Sequence, residues 1–531
     1  VDLNRIVQGL QDPAAYPHPA DDLRVHHTHI SVVVLAGPFA YKVKKPVDLG
    51  FLDFTTLEKR RYFCGEEVRL NRRLAPDVYL DVVPLTVRDS GLRVGGGGDP
   101  VEYAVKMRRL PPEATALARL ERGELSPEDV DRLAIHIARF HREAASGEHV
   151  ARYGRFEVVA GNARENFDQS LGHIGRTVQR EVFERSRALT ETQLKRHRRL
   201  IQERARAGVP RDTHGDLHLE HVYFLPDRPP PDDLAIIDCI EFNERFRFAD
   251  PISDMAFLAM DLAFRDRRDL ARRFAESYLA AAGETAGGDL LPLYRSYRSA
   301  VRAKVEGITS LAEEVPEETR ARATRTARAY WLLTLGQLEI PQGRPCLVLV
   351  AGLPGTGKST LAAGLGERAG FQLLSSDRVR KELAGLEPEE SAAAGIDEGL
   401  YAPAWTERTY RTLRERAATR LELGGRVVVD ASFHREAARA DFLQLARSLA
   451  VPFLILECRT EADRVLGRLE ARKGGVSDAD RSVYLAMARR WEKPGADTAR
   501  HLRKVDTSAG VEASLLAGLG ALAGAGLAAP K

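Results

Sequence analysis

Cysteine is scarce: there are four in 531 residues, at positions 64, 239, 346 and 458. They are scattered, with none of the paired spacing of a zinc site or a disulfide framework. Three lie in or beside apolar, strand-like runs, so buried free thiols in a reducing compartment are expected. Net charge is nearly as sparse. The 79 Lys and Arg residues oppose 76 Asp and Glu, leaving +3, which argues against a bulk nucleic-acid binder but leaves room for a local basic groove. No apolar leader is read at the start, where Val1 to Leu10 carries Asp2, Asn4, Arg5 and Gln8, and a cytoplasmic location is expected. The uncharged stretch Ala513 to Pro530 approaches membrane-span length, yet it is mostly Ala and Gly with Leu515, Leu516, Leu519 and Leu522 near helical spacing. A terminal helix packed on the last domain is expected there, and no membrane partner. Internal repeats and long low-complexity linkers are also lacking. What the chain has is apolar material, 44% of its residues, enough for more than one core at a length that suits about three ordinary domains.

Read in order, residues 1 to about 110 are sheet-rich with one helix. Thr28 to Leu35 is β-rich, Ala36-Gly37-Pro38 is a turn, and Phe39 to Lys44 is the returning strand. Leu57 to Leu74 has a helical pattern; Val78 to Val87 and Val101 to Met107 read as further strands. Residues 111 to 210 carry helical periodicity, as in Val130 to His141 with Leu133, Ile137 and Phe140 on one face. A short strand, Leu234 to Asp238, precedes another helical stretch, and Gly343-Arg344-Pro345 is the expected boundary. The domains expected are therefore 1–340 and 341–531.

Just past that boundary stands Gly352-Leu353-Pro354-Gly355-Thr356-Gly357-Lys358-Ser359, which fits the phosphate-loop pattern G-x-x-x-x-G-K-[ST]. An apolar run of buried-strand type, Cys346 to Ala351, precedes it, and Thr360 to Leu365 reads as a helix start. In that context Gly352, Pro354, Gly355, Thr356, Gly357 and Thr360 are expected around the phosphates of ATP, where backbone N–H groups and a helix N-terminus favour anions. Lys358 should reach the β/γ-phosphates and Ser359 should ligate Mg²⁺. The next strand, Phe371 to Ser375, leads into Ser376-Asp377-Arg378-Val379-Arg380. A carboxylate at the carboxyl end of a parallel strand faces the ligand crevice, so Asp377 is the candidate base for an attacking hydroxyl. Arg380, one helical turn on, suits an anionic group on the acceptor. Asp430 ends the apolar run Arg426 to Ala431 and is the candidate for the Mg²⁺ shell. Arg464, Arg468 and Arg472, at i, i+4 and i+8, share a helix face where a phosphate-clamping lid is expected.

This set resembles the small P-loop kinases: gluconate kinase, chloramphenicol phosphotransferase, zeta-type toxins and the kinase domain of polynucleotide 5′-kinases. The Ser-Asp-x-x-Arg spacing is nearest to the polynucleotide kinases. The resemblance implies an α/β P-loop NTPase domain, a parallel sheet with flanking helices, with Asp377 as base and Arg380 on a substrate phosphate.

The first half carries His214-Gly215-Asp216-Leu217-His218 followed by Ile237-Asp238. These resemble the catalytic core of aminoglycoside phosphotransferases and related protein-kinase-like enzymes, which implies an α+β kinase-like domain. By match Asp216 would be the catalytic Asp and Asp238 a metal ligand. Lys42, or Lys44 on the same strand face, would pair with phosphate, and Glu67 or Glu66 would hold that lysine. His221 stands where the family pattern has Asn and is a candidate metal ligand. No glycine-rich loop precedes Lys42; His26-His27-Thr28-His29 takes its place. Asp250 and Asp254 read as loop-bracing and helix-capping carboxylates. The whole chain resembles bacterial fusions of a phosphotransferase-like domain with a P-loop kinase. The expected function is Mg-ATP-dependent phosphoryl transfer to a hydroxyl on a polynucleotide 5′-end or nucleotide, with single-stranded nucleic acid as a partner. The alternatives are a sugar, aminoglycoside or polyol kinase, and an ATP-binding regulatory protein.

Overall fold

A computed structural model gives the fold and describes residues 2–88, 91–313, 315–387, 398–470 and 481–529. The chain forms two compact units. The first comprises Val1–Gly161, His197–Ala263 and Arg267–Tyr294; the second comprises Asn162–Arg196, Phe264–Asp266 and Arg295–Lys531. Among the described residues no helix is long and apolar enough to cross a membrane.

The first unit is α+β. Its strands β1 (Arg24–His27), β2 (Ser31–Ala36), β3 (Phe39–Lys44), β4 (Tyr79–Arg88), β5 (Gly91–Val94) and β6 (Glu102–Arg108) form one antiparallel sheet in the order β1-β2-β3-β6-β4-β5. Alternation along β3 decides what each face carries. Tyr41 and Val43 join Val32, Val34, Leu85 and Ile6 in one core. Ala40, opposite Met107 in register, faces the other way onto Cys64 and Val68 of the helix Leu57–Asn71. Lys42 and Lys44 share the parity of Ala40 and so point toward that helix. The helix starts where Thr56 accepts a hydrogen bond from the Lys59 amide, a side-chain cap for an otherwise orphaned donor.

Further along, the helix Pro127–Glu143 opens with a capping box of Ser126 and Asp129 and buries Leu133, Ile137 and Phe140, as the periodicity predicts. Two short antiparallel ribbons carry the candidate catalytic loop: β7 (Arg211–Asp212) with β10 (Phe248–Ala249), and β8 (Val222–Phe224) with β9 (Leu234–Ile236).

The second unit is α/β. Strands β11 (Cys346–Ala351), β12 (Gln372–Ser375), β13 (Arg426–Asp430), β14 (Phe453–Arg459) and β15 (Leu502–Asp506) form a parallel sheet ordered β12-β13-β11-β14-β15. β11 is buried along its whole length, as a strand covered on both faces must be. The helix Val511–Gly524 packs Leu515 and Leu522 into this core.

The compact units do not divide at a single point near residue 340. Trp331, fully buried, packs against Phe167 and Phe183 at ring-centroid distances of 5.6 and 5.4 Å. The Arg185 guanidinium bonds Glu339, the Gly343 carbonyl and the Gly424 carbonyl. These contacts bind residues 162–196 and 295–340 into the unit that holds the parallel sheet. The fold class is the one expected: an α+β part and a P-loop α/β part.

Candidate active sites

In the second unit, β11 ends at Ala351 and the chain curls into the phosphate loop before the helix Lys358–Ala369. Three loop glycines have positive φ: Gly352 at 147°, Gly355 at 77° and Gly357 at 86°. At Gly352 a Cβ would stand 2.8 Å from the Cys458 carbonyl oxygen, so the loop closes against β14 only because this residue has no side chain. Thr356 closes the loop from inside, its hydroxyl donating to the Leu353 carbonyl at 2.7 Å. From outside, the Thr507 hydroxyl donates to the Thr356 carbonyl at 2.7 Å. The Lys358 ammonium lies over the loop and donates to the Leu353 carbonyl at 2.9 Å. Pro354 lies within the loop, and Ser359 and Thr360 form the first helical turn, both exposed.

Asp430 ends β13 and is buried. Burial pushes its carboxyl above the usual range, against the pull of the Lys358 charge and a hydrogen bond from the Ser359 hydroxyl, while the nearby Asp377 charge pushes the same way as burial. Ser359 and Asp430 thus converge as hard oxygen donors, and they fit a Mg²⁺ ion.

Asp377 is not the last residue of a strand. β12 stops at Ser375, and Asp377 lies in the first turn of the helix Ser376–Leu383. Arg380 is one turn on, as expected, and donates to Asp377 Oδ1 at 3.0 Å. The pair is not sealed inside, since a quarter of the Asp377 side chain, 25%, is exposed. The Arg380 guanidinium sits 4.6 Å over the Tyr401 ring, and its buried Nε has no hydrogen-bond partner among the described residues.

On the helix Ala462–Glu470, Arg468 donates to the Thr507 carbonyl at 2.8 Å and reaches the Gly355 carbonyl at 3.5 Å; Arg464 donates to Ser508. Arg472 lies outside the described residues. The sequence reading missed the loop after β13. The Ser432 carbonyl there accepts from the Gly352 amide at 3.2 Å, and its hydroxyl lies 3.1 Å from His434 Nδ1 and 3.3 Å from the Tyr410 hydroxyl. Its position directly after the strand-ending Asp430 was the available signal.

In the first unit Lys42 lies 2.9 Å from Glu67 and 2.5 Å from Asp238. Lys44 lies 2.7 Å from Glu67 and also bonds Glu241, a residue given no role from sequence. Glu66 instead pairs with Arg69 at the surface. Burial works against both ammoniums, but the surrounding carboxylates outweigh it and raise their pKa values. Asp238 has φ of 66°, a left-handed conformation that costs a non-glycine residue about 1–2 kcal/mol. The turn is held by the Asp238 amide donating to the Tyr79 hydroxyl at 3.1 Å and the Cys239 amide donating to Asn71 Oδ1 at 2.8 Å.

Asp216 lies in the loop with His218 Nε2 at 3.4 Å from its Oδ2, and His221 Nε2 lies 3.5 Å from Asp238 Oδ2. Asp254 braces that loop: its carboxylate accepts from the His214 amide at 3.1 Å and the Gly215 amide at 2.8 Å. Asp250 accepts from the Ile252 amide at the helix start and pairs with Arg204. The structure thus brings Lys42, Glu67, Asp216, His221 and Asp238 together in one unit, and Lys358, Ser359, Asp377, Arg380, Asp430, Arg464 and Arg468 in the other.

A phosphate loop at the carboxyl end of a five-stranded parallel sheet, with a carboxylate at the end of the adjacent β13, defines a P-loop nucleotide-binding unit. Residues 347–494 match the family described as AAA domain. Over 476 residues the chain is 33% identical to uncharacterized proteins of Mycobacterium tuberculosis and Mycobacterium bovis, which covers 89% of this chain and 91% of each relative. The chain belongs to the family of these mycobacterial proteins. Among solved structures, it is similar to a sugar kinase from Janibacter sp. HTCC2649 (18% identity, 35% of this chain and 99% of that one, TM-score 0.27). It is also similar to a gluconokinase from Sinorhizobium meliloti 1021 (20% identity, 34% and 92%, TM-score 0.25). A choline/ethanolamine kinase family protein from Mesorhizobium loti is 12% identical, over 63% of this chain and 99% of that one, with a TM-score of 0.37.

Proposed function

We propose that the protein is an ATP-dependent phosphotransferase whose second unit moves the γ-phosphoryl of Mg-ATP to a hydroxyl on a polynucleotide 5′-end or a nucleotide. The observation that carries this reading is the Asp377–Arg380 pair, a partly exposed carboxylate with a buried guanidinium whose Nε has no hydrogen-bond partner among the described residues. The loop amides and Lys358 hold the triphosphate, and Ser359 with Asp430 would hold the metal ion, which when bound neutralises charge on the β/γ oxygens. Asp377 accepts the proton of the acceptor hydroxyl as its oxygen forms the new P–O bond. The β–γ bridging bond breaks, and ADP leaves with that electron pair. Arg380 suits a phosphate on the acceptor, since a buried guanidinium with an unmet donor is costly until an anion meets it. Arg468, bonded at the loop's own carbonyl, is placed to neutralise charge on the transferring group.

The test offers γ-labelled ATP to the full-length protein with 5′-hydroxyl oligonucleotides, nucleosides and nucleotides, and a panel of sugars, aminoglycosides and polyols. Label is expected on the oligonucleotide 5′-end or the nucleotide. Label on a small polyol alone would overturn the acceptor, and ADP release indifferent to every acceptor would overturn the transferase reading.

A further inference from the structure

Ser432 stands at the phosphate loop, and the proposed transfer gives it no task. It follows Asp430 by two residues, just past the end of β13. Its carbonyl accepts from the Gly352 amide at 3.2 Å, where the loop leaves β11. The next loop carbonyl, that of Leu353, takes the Lys358 ammonium, and the Asp430 carboxylate takes the Ser359 hydroxyl. Ser432 is thus tied to the loop on one side and follows the metal-side carboxylate on the other. It is half-buried, and so is His434.

The turn that presents Ser432 is strained. Phe433 has φ of 47°, a left-handed conformation that a bulky side chain avoids. It is held there from several directions. The Tyr410 hydroxyl oxygen accepts from the Phe433 amide at 3.2 Å, and the Arg439 guanidinium donates to the Phe433 carbonyl at 2.7 Å. The Phe433 ring is fully buried, edge-on to Tyr410 and Phe442 at 5.5 and 5.3 Å between centroids. Strain persists where the surroundings over-determine it, and functional sites are where it collects. Here it brings the Ser432 hydroxyl to 3.1 Å from His434 Nδ1.

The protons of this turn can be followed. An amide only donates, so the Tyr410 oxygen accepts from Phe433, and its own proton is available to Ser432 Oγ, 3.3 Å away. The Ser432 proton is then available to His434. Burial, helped by the Arg435 charge, depresses the His434 imidazole below its ordinary range, so it is neutral at pH 7. With its remaining proton on Nε2, Nδ1 offers a lone pair. A hydroxyl in hydrogen-bond reach of a neutral imidazole is the arrangement of an activated nucleophile.

We propose that Ser432 is a self-phosphorylation site: with no acceptor bound, its hydroxyl takes the γ-phosphoryl of the Mg-ATP held by the same chain. Oγ forms the new P–O bond as its proton passes to His434 Nδ1. The bond from the γ-phosphorus to the β–γ bridging oxygen breaks, and ADP leaves with that electron pair. The step rests on the donor site of the phosphotransferase reading but not on its base, since Asp377 takes no part. Phosphoserine brings a charge of about −1.5 to −2, which beside the loop opposes the next triphosphate.

The experiment incubates full-length protein with γ-labelled Mg-ATP and no acceptor, and maps the label by mass spectrometry of its peptides. One phosphate per chain is expected, on Ser432, at a rate per chain independent of protein concentration. Ser432→Ala should lose that label, and His434→Gln should slow it at least about 100-fold. Asp377→Asn should keep it while losing transfer to acceptors. Calorimetry with Mg-ATP gives a second readout: Ser432→Asp should bind at least about 10-fold more weakly than Ser432→Asn, which has the same shape without the charge. Circular dichroism shows that each variant is folded, and His434→Asn replaces His434→Gln if that one is not. Label confined to other residues, a rate that rises with protein concentration, labelling unmoved by His434→Gln, or equal affinity in Ser432→Asp and Ser432→Asn overturns the inference. An oligonucleotide or nucleotide labelled while Ser432 stays bare overturns this inference alone. Ser432 labelled while no acceptor is would support it and overturn only the acceptor reading.

Discussion

Gly355 and Gly370 flank the helix Lys358–Ala369 and form a matched pair for testing the phosphate loop. Both have positive φ, 77° and 67°, and an L-residue held in that region costs about 1–2 kcal/mol. Gly355→Ala and Gly370→Ala should therefore lose that much stability alike. Beyond it the two part. A Cβ at Gly370 meets nothing within 4 Å, whereas at Gly355 it would stand 2.8 Å from Val465 Cγ1 and 3.1 Å from Leu469 Cγ. Overpacking of this kind adds about 1–3 kcal/mol. It is relieved in one of two ways. The helix Ala462–Glu470 moves off, taking Arg468 from the Gly355 and Thr507 carbonyls, or the loop rotates and turns its amides from the phosphates.

Either relief weakens nucleotide binding, and if about 1.4–2.8 kcal/mol of the cost falls on the bound state the dissociation constant rises about 10–100-fold. Calorimetric titration of each full-length variant with Mg-ATP, alongside thermal unfolding, separates the effects. For Gly370→Ala we expect a transition lowered by about 2–8 °C with affinity kept within about threefold. For Gly355→Ala we expect a larger thermal loss and the 10–100-fold weakening. Wild-type affinity in Gly355→Ala, or an equal affinity loss in Gly370→Ala, would refute the reasoning.

Asp377→Asn keeps an oxygen for Arg380 at the 3.0 Å contact but cannot take a proton, so acceptor-dependent turnover should fall about 10²–10⁴-fold while calorimetry finds Mg-ATP still bound; unchanged turnover removes Asp377 from its role. Burial pushes the Cys64, Cys239 and Cys458 thiols from 9.0 up to about 12. Folded and unfolded chains alike hold these protons below pH 9; above it only the unfolded chain ionises, so stability should decline as pH rises toward 12. Iodoacetamide at pH 8 should mark none of the four buried cysteines before unfolding, and mass spectrometry finding a labelled native thiol would contradict this. Asp254→Ala leaves the His214 and Gly215 amides, bonded to it at 3.1 and 2.8 Å, without that carboxylate, at about 1–3 kcal/mol each. Hydrogen exchange at both amides should accelerate by at least about 10-fold, and unchanged protection would show that something else braces the loop.

Much of this was legible because a period was visible. Alternation in β3 put Lys42 and Lys44 on one face, but no alternation can choose between residues two apart, and the structure gives both of them to Glu67. Helical phase could have chosen between Glu66 and Glu67. Cys64, Val68 and Asn71 are buried on one side, and Glu67 belongs to that stripe while Glu66 is a 100° step away. β15 escaped notice because it is an edge strand with Leu502, Arg503, Lys504 and Asp506 at least partly exposed, so it has no apolar run. The Gly343-Arg344-Pro345 turn marks a break in secondary structure, not in packing, which is why residues 162–196 and 295–340 lie with the parallel sheet. Contacts between residues far apart in sequence, such as those of Trp331 with Phe167 and Phe183, leave no local signature. Glu241 and His218 escaped for the same reason: each gains its role from a partner in space.

Charge separates the two sites in a way no motif records. Lys358 in the second unit is bonded to a carbonyl, a neutral acceptor it can exchange for a phosphate oxygen with net electrostatic gain. In the first unit Lys42 and Lys44, two positive charges, already face Glu67, Asp238 and Glu241, three carboxyls. Burial pushes Glu241 above the usual carboxylate range. The cluster therefore sums to 0 if Glu241 holds its proton and to −1 if it does not. A triphosphate entering there must first break buried ion pairs, at a cost of several kcal/mol at low dielectric, and then meets no net positive charge. The same electrostatic rule thus favours an anion at the phosphate loop and opposes one at the paired lysines of β3.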